Sequence, residues 1–184
     1  MINDMLLRRN DDNYIKAHFK DLESDYIEKI MELQENVYNG LEDKDLFVKS
    51  DKRSFLECIE GKGRIIGCLT EEDELIAIGV YIRYGMDKEN YGYDLNISEK
   101  ELLKVAQIEC TIVKEEYRGN RLQKIICNEL EIIANSDKMK IISATVSPKN
   151  KYSLNTFLSL GYKIENEKEK YGGFLRYVLS KNIQ

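Results

Sequence analysis

Residues 105–123 read "VAQIECTIVKEEYRGNRLQ", and a change of character within that stretch decides the fold. The first nine, "VAQIECTIV" (105–113), are mostly apolar and rich in β-branched side chains, the mark of a buried strand. "KEEYRGN" (114–120) is polar and turns the chain. From Arg121 the apolar residues recur at helical spacing, as Leu122, Ile125, Ile126, Leu130 and Ile133, which predicts a helix over 121–135. A loop of this kind leaves the first helical N–H groups unpaired and that helix end partly positive, a setting that binds phosphates. Gly119 permits close backbone approach, Asn120 is placed to cap, and Arg118, Arg121 and Lys124 supply cations. An ordinary strand–helix turn with solvated arginines fits the spacing equally well.

Outward from this junction the pattern stays regular. "KIISATV" (140–146) is a second strand, "SPKNKYSLNTFLSLG" (147–161) a helix stopped by glycine, and "YKIENEK" and "GFLRYVLSK" a closing pair of strands. Upstream, a short strand is expected at Met5–Arg8 and a helix over Asp25–Tyr38, with Ser24 as its cap and Gly40 as its stop. A shorter helix is expected over Lys52–Glu60. "RIIGCLT" (64–70) and "ELIAIGVYIRY" (74–84), joined by Glu71-Glu72-Asp73, form a hairpin. Residues 85–103 are irregular, with a helical turn near Glu99–Leu103. The order predicts one α/β domain over 1–184, with a mixed central sheet of about six to seven strands, flanking helices and one βαβ crossover.

Composition narrows the function. A 184-residue chain, 42% hydrophobic and 33% charged with one proline, is long enough to bury one sizeable core. The net charge of −5 argues against nucleic acid as main partner. Residues 114–151 nevertheless carry eight basic against five acidic side chains, leaving 20 against 28 elsewhere. A basic island in an acidic protein suits a small polyanion. The N-terminal stretch reads as neither a signal peptide nor a membrane span, and Cys58, Cys68, Cys110 and Cys127 are scattered as reduced, buried thiols would be, so the cytoplasm is the expected compartment. No spacing fits a metal site.

The two elements at 113–124 and 145–162 together resemble the core of the GNAT superfamily of acyl-CoA-dependent N-acyltransferases. "VKEEYRGNRLQKI" is similar to that family's strand–loop–helix signature for the cofactor pyrophosphate. "ATVSPKNKYSLNTFLSLGY" is similar to its second cofactor-side element. The resemblance is good over 105–180 and only topological over 1–100. It implies an acyl-CoA-binding core at 105–162, a variable acceptor-side region at 20–103, and acetyl-CoA or another short acyl-CoA as donor. The acceptor it implies is the primary amine of a small molecule or peptide, with no metal, acting as a monomer or homodimer.

Carried over residue by residue, the resemblance places the polarising backbone N–H groups at Thr111, Ile112 and Val113. It places the phosphate loop at Arg118, Gly119, Asn120, Arg121, Leu122 and Gln123. Asn150 and Ser153 fall beside the pantetheine arm, although capping of the helix explains them as well. Arg121 and Gln123 stand where the family has small residues. With Asn120 as cap, Arg121 is expected at ordinary negative φ.

An acceptor amine must lose a proton before it attacks, and Glu109 is the candidate base. Strand alternation puts Glu109 on one face with Thr111 and Val113, and Ile108, Cys110 and Ile112 on the other. A cation from a neighbouring strand is the competing explanation for a carboxylate there. The family's usual tyrosine acid is replaced by Phe157, which cannot donate a proton. Tyr152, Tyr171 and Tyr177 remain possible substitutes. Lys149 and Lys151 are weaker phosphate contacts, and His18 has no nucleophile placed beside it. The acidic remainder outside 114–151 favours a cationic acceptor. A catalytically silent acyl-CoA-binding or regulatory domain is the alternative, motivated by Arg121, Gln123 and Phe157.

Overall fold

Alternating and continuous apolar runs pair into one sheet in the computed structural model, which describes residues 4–183; the predicted span of 1–184 reaches past those limits at both ends. Its strands are β1 (Met5–Arg8), β2 (Tyr14–Asp21), β3 (Gly63–Thr70), β4 (Leu75–Ile82), β5 (Val105–Val113), β6 (Ile141–Val146), β7 (Lys163–Lys170) and β8 (Phe174–Asn182). They lie side by side in the order β1-β2-β3-β4-β5-β6-β8-β7. Every neighbouring pair is antiparallel except β5 and β6. A parallel pair needs a crossover, and helix α4 (Leu122–Ser136) supplies it.

The sheet has eight strands rather than six to seven. The unexpected one is β2, "YIKAHFKD", where Ala17 and Phe19 are buried and Ile15 packs half-buried on the same core, between polar residues. Helix α1 (Ile27–Asn39) follows a 3-10 turn at Ser24–Tyr26, so Ser24 lies inside the turn instead of capping the helix. Helix α2 (Lys52–Glu57) is capped by Asp51, whose carboxylate accepts from the Ser54 N–H at 2.7 Å. A π-turn at Cys58–Lys62 follows it. Helix α3 (Glu99–Leu102) carries a Ser98/Glu101 capping box. Helix α5 (Lys151–Ser159) begins later than expected because Asn150 caps it.

The sheet separates two cores. On one face Leu122, Ile126 and Leu130 of α4 pack with Ile76, Tyr81, Ile108 and Ile142, and Phe157 of α5 joins them. On the other, Ile30 and Leu33 of α1 and Phe55 of α2 pack with Ile65, Ile78, Cys110 and Ile112. Gly79 lets α4 lie close on β4, since a Cβ there would meet the Ile126 side chain at 2.1 Å. All four cysteines are free and buried. Among the described residues no helix is long and apolar enough to cross a membrane.

Candidate active site

The site grows from two irregularities in β5. On one edge, β5 pairs with β6 only from Val105 to Ile108, and beyond that the two strands part. On the other edge, β5 stays paired with β4 as far as Val113, but the register slips so that Val80 faces Cys110 while Tyr81 faces Ile108. Glu109 is the extra residue of this β-bulge. Bulges of this kind re-aim a side chain and recur next to active sites.

The bulge overturns the expected alternation. Ile108 packs on the α4 face, whereas Cys110 and Ile112 pack on the α1/α2 face. Thr111 and Val113 turn toward α4: the Thr111 hydroxyl accepts from Gln123 Nε2 at 3.0 Å, and Val113 packs against that core. Glu109 turns the other way. It accepts from Gln107 Nε2 at 3.0 Å, and its charge is felt by Cys58, Tyr84 and Tyr91 on the α1/α2 side. Glu109 therefore does not share a face with Thr111 and Val113. One extra residue reverses its direction.

Glu109 has no ion pair within 4.0 Å among the described residues; the Lys170 ammonium, paired with Asp94, acts on it only from further away. Burial pushes the Glu109 carboxyl above the ordinary range, while hydrogen bonds from Gln107 and Tyr91 pull in the opposite direction. Gln107 is fully buried and also accepts the Tyr91 N–H at 2.5 Å, which fixes Tyr91 and Glu109 relative to each other. The Tyr91 hydroxyl meets that of Tyr171, and Tyr171 meets Thr145 Oγ1 at 2.8 Å. Burial and the nearby Glu109 charge push Tyr171 up to about 12, so it keeps its proton at neutral pH. A hydrogen-bonded chain thus runs Tyr91–Tyr171–Thr145, with the Glu109 carboxylate beside Tyr91.

Tyr91, Gln107 and Thr145 were not singled out by the sequence. Of the three tyrosines that were, Tyr171 joins the chain, Tyr152 is 91% exposed, and Tyr177 packs against the α4-side core. Tyr171, Gly172 and Gly173 all have positive φ, so the β7–β8 turn holds Tyr171 in a conformation that non-glycine residues seldom adopt. Phe157 is buried edge-on against Tyr162, at 5.0 Å between ring centroids, and belongs to the core.

On the α4 side, the Lys114 N–H donates to the Ile76 carbonyl at 2.8 Å, which sets the backbone alternation of β5 against β4. Ile112 and Cys110 turn their backbone groups to β4, while Thr111 and Val113 turn theirs toward the gap beside β6. Ile112 is a buried spacer between those two donors.

The loop departs from expectation at two positions. Arg121 has φ +59 and ψ +22, the left-handed region, and not the negative φ of a first helical residue. Asn120 does not cap α4. Its Oδ1 accepts the Arg8 N–H at 2.9 Å, and its Nδ2 donates to the Arg8 carbonyl at 2.7 Å and the Tyr117 carbonyl at 2.9 Å. Asn120 thereby straps the β1–β2 hairpin to the loop. Arg121 takes the cap position instead, with no side-chain cap, and leaves the first-turn N–H groups of Leu122, Gln123 and Lys124 ahead of the first intrahelical bond.

Gly119 has φ +90, and a Cβ there would meet nothing within 4 Å. Arg118 lies 4.0 Å from Glu115 and, with Gly119 and Asn120, lines a cavity of about 220 Å³ shared with Arg8, Arg9, Asn10 and Asp12. Leu122 is buried in the core. Gln123 Nε2 bridges Thr111 to the Ser153 hydroxyl at 2.9 Å, joining β5, α4 and α5 across the gap. Asn150 Oδ1 accepts the Ser153 N–H at 3.1 Å, so both residues serve the α5 cap. Lys149 pairs with Asp43 and Asp45 at 3.1 and 3.2 Å.

The chain as a whole has clear likenesses among known proteins. Residues 16–162 match the model of the acetyltransferase (GNAT) family. The ribosomal-protein-S18-alanine N-acetyltransferase from Escherichia coli superimposes with a TM-score of 0.67 at 11% identity, over 91% of this chain and 94% of that one. A GNAT-family acetyltransferase from Streptococcus pneumoniae gives 0.67 at 14% identity, over 91% and 99%. A Salmonella typhimurium protein assigned as an acetyltransferase, solved with its cofactor acetyl-CoA, gives 0.66 at 13% identity, over 91% and 94%. No curated protein matches the sequence at a significant level. The match over most of the chain, on a sheet that parts at β5 and β6, places this protein in the GNAT acetyltransferase family.

Proposed function

We propose that this protein transfers an acetyl or short acyl group from acetyl-CoA directly to a primary amine of a small molecule or peptide. The observation that carries the reading is the bulge at Glu109. It sets a carboxylate on the α1/α2 side of β5 at the level where the strand parts from β6, while Thr111 and Val113 present backbone groups to the gap.

The donor groups suit acetyl-CoA. The first-turn N–H groups of Leu122, Gln123 and Lys124, with Arg118 and Arg121 beside them, match a diphosphate. Thr111 and Val113 match the amides of an extended arm laid along a strand edge. The Ser153 hydroxyl reaches the same gap through Gln123, and Asn150 holds Ser153 from the α5 cap. When bound, acetyl-CoA supplies an activated acyl thioester. The outward N–H groups of Thr111 and Val113 are fixed dipoles able to polarise a carbonyl oxygen in the gap.

Glu109 accepts the proton of the incoming ammonium. Burial makes its carboxylate more basic than an exposed one, which favours this transfer. Tyr91 and Tyr171 hydrogen-bond to each other beside Glu109, and protonated Tyr171 is a candidate donor for the departing thiolate. Residues 105–162 form the donor part on this reading, and 20–103 with the β7–β8 turn form the acceptor side. The activity of the Escherichia coli neighbour, N-acetylation of a ribosomal-protein alanine, is in keeping with an amine acceptor. Four free, buried thiols suit a reducing compartment such as the cytoplasm.

A screen for thiol release from acetyl-CoA over a broad panel of amines tests the proposal. Amine-dependent release supports it. Tight acetyl-CoA binding with no release against any amine supports the catalytically silent alternative.

A further inference from the structure

Arginines in this chain almost all have a carboxylate within 4.0 Å. Arg8, Arg9, Arg53, Arg64, Arg83 and Arg118 pair with Asp12, Asp11, Glu57, Asp21, Asp137 and Glu115. Among the described residues, only Arg121 and Arg176 form no such pair. Arg121 is exposed at the start of α4, in the loop assigned above to the donor phosphates. Arg176 is 4% exposed on β8, and burying a cation without a counter-ion is costly.

Arg176 is instead held by neutral groups. It donates to the Leu175 carbonyl at 2.8 Å and to the Asp45 carbonyl at 2.8 Å. Its guanidinium lies 5.9 Å from the Tyr171 ring centroid and 5.4 Å from that of Phe174. A guanidinium has five N–H donors in a planar fork, so these two bonds leave three donors over. Burial lowers its pKa, and the charges of Tyr171, Asp45 and Tyr91 offset this only in part; the Asp45 carboxylate forms its ion pair with Lys149, at 3.2 Å, and not with Arg176.

Position makes the unpaired charge useful. The ring of Tyr171 faces Arg176, and its hydroxyl meets that of Tyr91, which lies beside Glu109. Val146 of β6 pairs with Tyr177, so Arg176 lies on β8 just past the end of β6, where the sheet is open. A carboxylate beside Tyr91 and an unpaired guanidinium beside Tyr171 thus stand at the two ends of the Tyr91–Tyr171 pair. We propose that Arg176 receives a carboxylate carried by the acceptor, so that the acceptor is an amine that also bears a carboxylate, such as a free amino acid or a short peptide. The amine lies toward Glu109 and the carboxylate toward the guanidinium fork, which replaces a neutral carbonyl by a charged acceptor. This rests on the acyl-transfer reading and replaces the cationic acceptor expected from overall charge.

The test compares thiol release from acetyl-CoA with amino acids, their carboxamides and the corresponding decarboxylated amines, in wild type, Arg176→Gln and Arg176→Lys. Wild type is expected to prefer the carboxylate-bearing member at least tenfold in kcat/KM. Arg176→Gln abolishes that preference through KM, and Arg176→Lys keeps part of it. A purely structural Arg176 would lower all three acceptor types alike. Equal use of the three by wild type, or an unchanged preference in Arg176→Gln, overturns the inference and leaves amine acylation standing.

Binding of N-acetyl amino acids to the CoA-saturated protein, measured by calorimetry, needs no turnover. Binding that weakens at least tenfold with N-acetyl amino-acid amides supports the inference even where no amine is acylated. Equal or absent binding overturns it.

Discussion

On the proposed reading, the two faces of β5 hold their functional groups in different ways. Toward α4 and the gap beside β6 the groups are mostly main chain: outward N–H groups of Thr111 and Val113 and the uncapped first turn of α4, all within residues 111–124. On the α1/α2 face they are side chains from five separate segments, contributed by Tyr91, Gln107 and Glu109, Thr145, Tyr171 and Arg176. Main-chain donors tolerate substitution, because any residue at the same φ and ψ offers the same N–H. Side-chain chains do not, since each member orients the next. The donor half should therefore lose affinity in small steps, and the acceptor half should lose turnover in large ones.

The sharpest way to break that contrast is Tyr171→Phe, which removes one hydroxyl from the chain between Tyr91 and Thr145. Turnover should fall by roughly 10²-fold with acetyl-CoA affinity unchanged, as steady-state kinetics and calorimetry will show. A fall in affinity instead would merge the two halves.

On the donor side, Arg121→Ala should weaken acetyl-CoA binding by roughly threefold to fivefold at low salt, the size of an exposed ionic contact. The loss should shrink at high salt, because screening already removes the contact there. Titrations at two ionic strengths measure it.

Arg121→Gly tests the backbone. An L-residue at φ +59 is strained by about 1 kcal/mol, and glycine is not, so this variant should unfold at higher denaturant concentration. Equal midpoints would remove the strain from the picture.

The smallest effect concerns Glu109 and stability. Its folded-state pKa is raised, so ionisation at neutral pH opposes folding, and the cost disappears as pH falls below the ordinary carboxylate value of 4.5. Glu109→Gln should melt higher than wild type at pH 7, with the gap closing toward pH 4. A constant gap would place the origin in packing.

Much of the donor half is local in sequence, which is why it could be read there. A strand, one glycine and a helix with a clear apolar stripe lie consecutively at 105–135, and no long-range information is needed to assemble them. The errors within it were conformational: nothing in "GNRL" reports that Asn120 spends its amide on Arg8, 112 residues away, and that Arg121 then takes a left-handed turn. Glu109 was legible as a carboxylate in an apolar strand, but its direction was not. That depends on a register slip against β4, and alternation within one strand cannot show it. Tyr91 and Tyr171, two of twelve tyrosines, meet across 80 residues of sequence, so only the fold picks them out. Arg176 was hidden differently, since an arginine in a closing strand reads as a solvated edge until its burial is known.

Glu109→Gln, assayed for thiol release with an accepted amine across pH 5.5–9, tests the division of labour most directly. The expected result is a fall in kcat of roughly 10²- to 10⁴-fold, with the acetyl-CoA dissociation constant unchanged within about twofold. The wild-type acidic limb, lying above the ordinary carboxylate range, should vanish in the variant. Wild-type turnover and an unaltered pH profile in Glu109→Gln would contradict the assignment of the bulge carboxylate as the base.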